Sequence, residues 1–237
     1  TDFTEVNLAA ADQATDSPTN NFATLNPLDN YFYATTFSEG NLKMTPTTGQ
    51  YTYNTSTIKV ANGKWYVEVK ATDEGNSVLG IVDKVSTSTT NELGYNDYGW
   101  EYKGLNGQVR GGAAAGTLRA TYNVYEDGDI VGIYLDLDNN KLYFAKNGTL
   151  EDSGTGLDIT AAASTGQGSY FFAGGDAASS SATVFEFNFG SPTYSISSGN
   201  ADANGYGNFE YDPSAGSFDS ASKDFYALCT KNLAEFG

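Results

Sequence analysis

The chain reads as an all-β protein, an antiparallel β-sandwich, and three observations predict it. Residues 128–148 spell out a hairpin. Ile130-Val131-Gly132-Ile133-Tyr134-Leu135 runs into a polar turn at Asp138-Asn139-Asn140 and returns as Leu142-Tyr143-Phe144-Ala145, with β-branched and aromatic residues on both sides of turn formers. The 237 residues include 17 Tyr, 14 Phe and 27 Gly, a composition that suits aromatic-rich strands joined by tight turns. Before residue 200 no amphipathic helical pattern runs longer than about two turns.

Taken in order, residues 1–30 read as an extended arm. The polar stretch 12–21 contains Pro18 and resists both helix and central strand. Within the arm, residues 6–11 form a helical turn or lie across a neighbour. The sandwich is expected over residues 31–196. It opens with Tyr31-Phe32-Tyr33 and the alternating Asn41-Leu42-Lys43-Met44-Thr45, and Pro46 and Gly49 then mark a turn. Residues 51–60 alternate again. After Gly63 comes Trp65-Tyr66-Val67-Glu68-Val69-Lys70, in which Trp65, Val67 and Val69 share one parity and should face the core, with Tyr66, Glu68 and Lys70 turned the other way.

Residues 78–82 form a short apolar run fit for a buried strand, and 86–91 a Ser/Thr loop. Residues 95–102 alternate aromatics with polar residues around Gly99. The run 111–116 is glycine and alanine only and predicts a flexible loop, and 154–168 is small and polar, again mostly loop. Tyr170-Phe171 and Val184-Phe185-Glu186-Phe187-Asn188-Phe189 close the series, with Phe185, Phe187 and Phe189 on one side. Residues 197–222, rich in Gly, Asn, Asp and Ser, predict a linker or loosely packed return segment. Residues 224–236 turn apolar again and should dock on the sandwich or on a neighbouring subunit.

Composition excludes several classes of function. Twelve basic residues against 29 acidic give a net charge of −17, which argues against nucleic-acid binding and against docking on anionic lipid. No apolar run approaches a membrane span, so a soluble protein without membrane insertion is expected. The chain has no histidine, which removes Ser-His-Asp and Cys-His mechanisms and imidazole-based zinc sites. Cys229, the single cysteine, forms no intrachain disulfide and reads as a small buried hydrophobe. No basic stretch followed by an apolar one marks a secretion signal. Thr1 is read as following a removed initiator Met or as the start of a trimmed product.

Several blocks occur in one order over roughly residues 40–190. They are Gly63-Lys64-Trp65-Tyr66-Val67-Glu68-Val69, Gly80-Ile81, Gly99-Trp100, Gly128-Asp129-Ile130-Val131-Gly132, Leu135-Asp136-Leu137, Leu142-Tyr143-Phe144-Ala145-Lys146-Asn147-Gly148, Tyr170-Phe171 and Phe187-Asn188-Phe189-Gly190. Each is weak alone; the ordered set resembles the SPRY domain. The resemblance implies a concanavalin-like, jelly-roll antiparallel sandwich that recognises partners through its edge loops and does no chemistry. In that frame Trp65, Val67, Trp100, Ile133, Leu135, Phe144, Phe187 and Phe189 are core positions, and Gly128 and Gly148 serve turns that need positive φ.

The flanks carry a second resemblance. Asn20-Asn21-Phe22-Ala23-Thr24-Leu25-Asn26-Pro27 ahead of the domain and Phe225-Tyr226-Ala227-Leu228-Cys229-Thr230-Lys231-Asn232-Leu233 after it resemble the flanks of SPRY-containing proteins of tailed bacteriophages. This implies a virion structural protein made in the host cytoplasm: a tail fibre, a receptor-binding protein or a capsid decoration protein. The partners it implies are other virion proteins, a second copy of the chain, and a host surface protein or glycan.

No catalytic residue, metal ligand or cofactor is assigned. Asp136-Leu137-Asp138-Asn139-Asn140 departs from a calcium loop, because Lys141 stands where glycine is needed and Asn147 where the bidentate glutamate belongs. Asp127, Asp129 and Glu126 read as a solvated acidic turn. Glycosidases of similar architecture need two acids about 5–10 Å apart, and Glu68 and Glu186 each stand alone in their strands. A carbohydrate-binding or glycan-cleaving protein of concanavalin-like fold is the alternative reading, and an intracellular adaptor that binds a short peptide is a third. The candidate partner-binding residues are Tyr95, Tyr98, Tyr102 and Arg110, because tyrosine and arginine combine contact area with directional polar groups.

Overall fold

The computed structural model describes residues 16–29, 34–85, 92–112, 114–178, 180–220 and 223–237. The readings of residues 6–11, 31–33 and 86–91 lie outside the described residues.

Two sheets face each other. In spatial order the first runs β1 (Thr36–Ser38), β2 (Lys43–Thr45), β14 (Val184–Asn188), β4 (Lys64–Asp73), β9 (Ile130–Asp136), β10 (Lys141–Lys146) and β11 (Thr149–Leu150). Strand β12 (Leu157–Asp158) also pairs with β10, and β15 (Tyr226–Ala227) adds parallel to the start of β4, opposite Trp65 and Tyr66. The second sheet runs β3 (Tyr51–Val60), β13 (Tyr170–Ala177), β5 (Ser77–Val82), β6 (Trp100–Lys103), β7 (Gln108–Gly111) and β8 (Leu118–Thr121). A single α-helix among the described residues, α1 (Thr230–Phe236), ends the chain.

Alternation along the strands makes the core. Trp65 pairs with Leu135, Val67 with Ile133 and Val69 with Phe187, which sets one inward row across β4, β9 and β14. Phe144 pairs with Ile133 and extends the row to β10. Leu79, Ile81, Trp100, Tyr102, Val109, Tyr170 and Phe172 meet it from the second sheet. Trp65, Val67, Trp100, Ile133, Leu135, Phe144, Phe187 and Phe189 are all buried. The turns on either side of the hairpin have left-handed backbone at Gly128 (φ +91°) and Gly148 (φ +76°), a conformation open to glycine at no steric cost.

The opposite face of the first sheet departs from expectation. Its residues do point away from the core, yet Tyr66, Glu68, Tyr134 and Tyr143 are as buried as the core itself. Residues 197–220, read from sequence as a linker, cover them. Tyr66, Tyr134 and Tyr143 line up across β4, β9 and β10. Phe209 sits edge-on to Tyr66 at 5.0 Å, Phe218 packs on Tyr134 and Tyr143, each at 5.1 Å, and Phe225 packs on Tyr134 at 5.1 Å. Isolated aromatics among Gly, Ser and Asp are hard to see as a packing pattern, because they follow neither strand nor helix period.

The flanks also meet. Ala23 donates its amide to Leu228 O (2.9 Å), Thr230 donates to Asn21 O (3.0 Å), and Phe22 bridges Cys229. The segment also lies along β3, where Asn26 donates to Thr55 O and Thr57 to Thr24 O. Cys229 is fully buried, and burial pushes its thiol up from its ordinary value. Lys64 and Asp136 form a buried ion pair, and Asp136 also accepts from the backbone and side-chain amides of Asn139. The carboxylate at the hairpin turn is thereby committed to the protein itself.

Candidate partner-binding surface

The polar side of β6 and β7 builds the most distinctive surface. In β6 the period of two sends Trp100 and Tyr102 inward together and leaves Glu101 and Lys103 on the outside. On β7, Val109 points in, and Gln108 and Arg110 point out. A register shift opposite β8, between Val109 and Arg110, marks a β-bulge. The turn at 93–95 then folds back over this outer face.

Arg110 is held from three sides. Its Nε and Nη2 donate to Gln108 Oε1 (3.1 and 2.8 Å), and Nη1 donates to Gly116 O (2.7 Å). The guanidinium carbon lies 5.7 Å from the centre of the Tyr95 ring, a cation–π arrangement. Gly116 donates in turn to Gly94 O (2.9 Å), so the tip of the 112–117 turn rests on the 93–95 turn. Tyr95 remains 38% exposed.

A second such stack lies alongside. Arg119 donates Nε to Gly111 O (2.8 Å), and its guanidinium carbon lies 5.4 Å from the Trp100 ring. Arg110 and Arg119 are the chain's only arginines. Among the described residues neither forms an ion pair with any carboxylate within 4.0 Å. A chain with 29 acidic residues thus places both of its most versatile cations on neighbouring strands of one sheet, with no carboxylate within 4.0 Å of either among the described residues.

Glu101 lies beneath this surface. It is fully buried, its Oε2 accepts the Gly94 amide (2.7 Å), and its Oε1 has no hydrogen-bond partner. Burial, reinforced by the neighbouring Glu92, pushes its carboxyl up to about 8. Glu92 is itself buried and paired to Lys103 at 2.9 Å. The two acids therefore tie down the 93–95 turn from below, with no exposed face to offer a substrate.

The sequence-derived residues divide accordingly. Tyr95 and Arg110 come together as a stacked pair at the surface. Tyr98 is half-buried in left-handed backbone (φ +61°) before Gly99 and packs against the core. Tyr102 is inside: it is fully buried, packs edge-on to Phe144 at 5.2 Å and donates its hydroxyl to Asn123 O. It shares its parity with Trp100, so it could not face solvent while Trp100 filled the core. Sequence reasoning missed Arg119, whose only signal was its rarity in so acidic a chain, and Leu118, which is 49% exposed on β8. Among the described residues no group of three or more Asp, Glu or Cys is placed to hold a metal ion. No described helix is long and apolar enough to cross a membrane.

Residues 64–173 match the family model of the SPRY domain. The chain is also similar to the crystal structure of the SPRY domain of human HERC1, at 14% identity and a TM-score of 0.54, over 69% of this chain and 96% of that one. A second human SPRY domain structure is similar at 15% identity and a TM-score of 0.47, covering 69% of this chain and 97% of that one. No curated protein sequence matches the chain. The likeness to the HERC1 domain shows the fold, a two-layer antiparallel β-sandwich. The residues that match the model, 64–173, lie inside a sandwich extended by flanking segments on both sides of the match.

Proposed function

We propose that the chain is a non-catalytic structural protein of a tailed-phage virion, and that it grips its partner through the Tyr95–Arg110 surface during assembly or host attachment. The observation that supports recognition is the stacked, hydrogen-bonded Arg110 beside the exposed Tyr95. A rigid aromatic with an oriented guanidinium is the pairing that dominates binding energy at protein interfaces. The phage setting is supported by the likeness of residues 20–27 and 225–233 to the flanks of phage SPRY-containing proteins. These two segments pair with each other, and so act as one extension of the sandwich.

The test is localisation in purified particles by peptide mass spectrometry and antibody labelling. Stoichiometric presence on capsid or tail supports the reading, and absence from the particle overturns it. Glycan-array binding that Tyr95→Ala abolishes would instead favour the carbohydrate-binding alternative.

A further inference from the structure

We propose that the free edge of β8 takes up an extended segment of a partner protein as an added strand, and that Arg119 selects a segment bringing a carboxylate. This rests on reading the chain as a recognition module, and names the partner's conformation and charge.

Among the described residues strand β8 is the last strand of the second sheet, with β7 as its only neighbour. An edge strand presents unpaired backbone donors and acceptors along its outer side. Leu118, Arg119 and Thr121 are exposed. A cleft of about 490 Å3 runs beside the strand, bounded by Arg119–Asn123 on one side and by Glu151 and Asp152 on the other. A single extended chain fits such a site by backbone pairing, with alternate side chains supplying specificity.

Charge narrows the occupant. Arg119 is held flat by Trp100 and by the Gly111 carbonyl, and among the described residues it has no carboxylate partner. Glu151 is occupied by Asn123, which donates its side-chain amide at 2.9 Å, whereas Asp152 is exposed at the rim. An incoming strand is therefore rewarded for an acid opposite Arg119 and penalised for an acid opposite Asp152. The bulge and the central arginine discourage indiscriminate pairing with apolar strands. The same arginine makes pairing conditional on a negative partner.

The experiment uses the full chain and end-capped nonapeptides of alternating Thr and Val carrying Glu, Gln or Lys at the centre. Binding is read by fluorescence anisotropy, and β8 by amide hydrogen exchange. The Glu peptide should bind about threefold to fivefold more tightly than the Lys peptide, the scale of one exposed ion pair, and should slow exchange at residues 118–121. Arg119→Glu should reverse the order. N-methylation of alternate peptide amides should abolish binding without any change to the protein. Equal binding of the three peptides, binding without protection of β8, or competition by a sulfated polysaccharide that N-methylation does not mimic would each overturn the proposal. Any of these results leaves particle localisation and the Tyr95–Arg110 surface untouched, so the two readings fail separately.

Discussion

The Glu68 carboxylate accepts the backbone amide of Tyr211 at 2.7 Å, across 143 residues of chain. It is the hub of the outer face. Oε1 also takes the Tyr66 hydroxyl (3.0 Å), and Oε2 takes the Glu210 amide (3.0 Å), the Asn188 side-chain amide (3.2 Å) and the Tyr194 hydroxyl (3.2 Å). Among the described residues no lysine or arginine pairs with it. Burial holds its carboxyl above the ordinary value despite these donors. Glu68 stands opposite Gly132, where a Cβ would come within 3.1 Å of the Tyr66 and Tyr134 rings. The bare backbone there lets the two tyrosines lean together over the sheet.

Glu68→Ala strands five donors at once. The expected loss is about 3–5 kcal/mol in chemical denaturation, together with new protease cleavage within residues 197–220. Glu68→Gln keeps the shape and places an amide against two or three of those donors, so it should also destabilise. A variant as stable and as protease-resistant as the parent would show that the strap is held by its aromatics alone.

Phe209 tests those aromatics. It is fully buried against Tyr66, and Phe209→Ala should cost about 3–5 kcal/mol. A loss under about 1 kcal/mol would return residues 197–220 to the status of a linker.

The pH dependence follows from Glu101. Its folded value of about 8 lies above the ordinary 4.5, so the folded state binds the proton more tightly than the unfolded one. The stability it contributes is complete below about pH 4.5 and is lost as pH rises toward 8. Glu74, pushed up to about 7 by burial, adds a slope of the same sign. Glu101→Gln, which keeps an acceptor for the Gly94 amide, should flatten the profile between pH 5 and 8 and be more stable than the parent at pH 9. Parallel melting curves for parent and variant across that window would refute the assignment.

Tyr95→Ala should leave thermal stability nearly unchanged, within about 1 kcal/mol, because the ring is exposed, and Arg110→Ala should cost about 1–2 kcal/mol for the hydrogen bonds it loses to Gln108 and Gly116. Each should weaken partner capture by about 2 kcal/mol or more, the scale of an interface anchor. Full retention of partner binding by both variants would move the recognition site elsewhere.

The two-sheet architecture was legible because the strands that make it obey a period of two: Trp65-Val67-Val69 and Phe185-Phe187 read directly as inward rows. Tyr102 was misplaced for a reason the sequence already contained, since Trp100 and Tyr102 have equal parity and one cannot be core while the other is surface. The covering of Tyr66 and Tyr134 was illegible. Phe209, Phe218 and Phe225 are spaced without period, and their partner face on β4 and β9 is far away in sequence. The Arg119–Trp100 stack was hidden for the same reason, being a contact between two different strands of the sheet.

The pairing of Asn21–Ala23 with Leu228–Thr230 is antiparallel, so Asn20 and helix α1 continue from the same end of the seam. A load that draws Asn20 and Lys231 apart therefore peels this contact one hydrogen bond at a time instead of shearing the whole row. Tension applied at that end is met by the seam before it reaches the sheets.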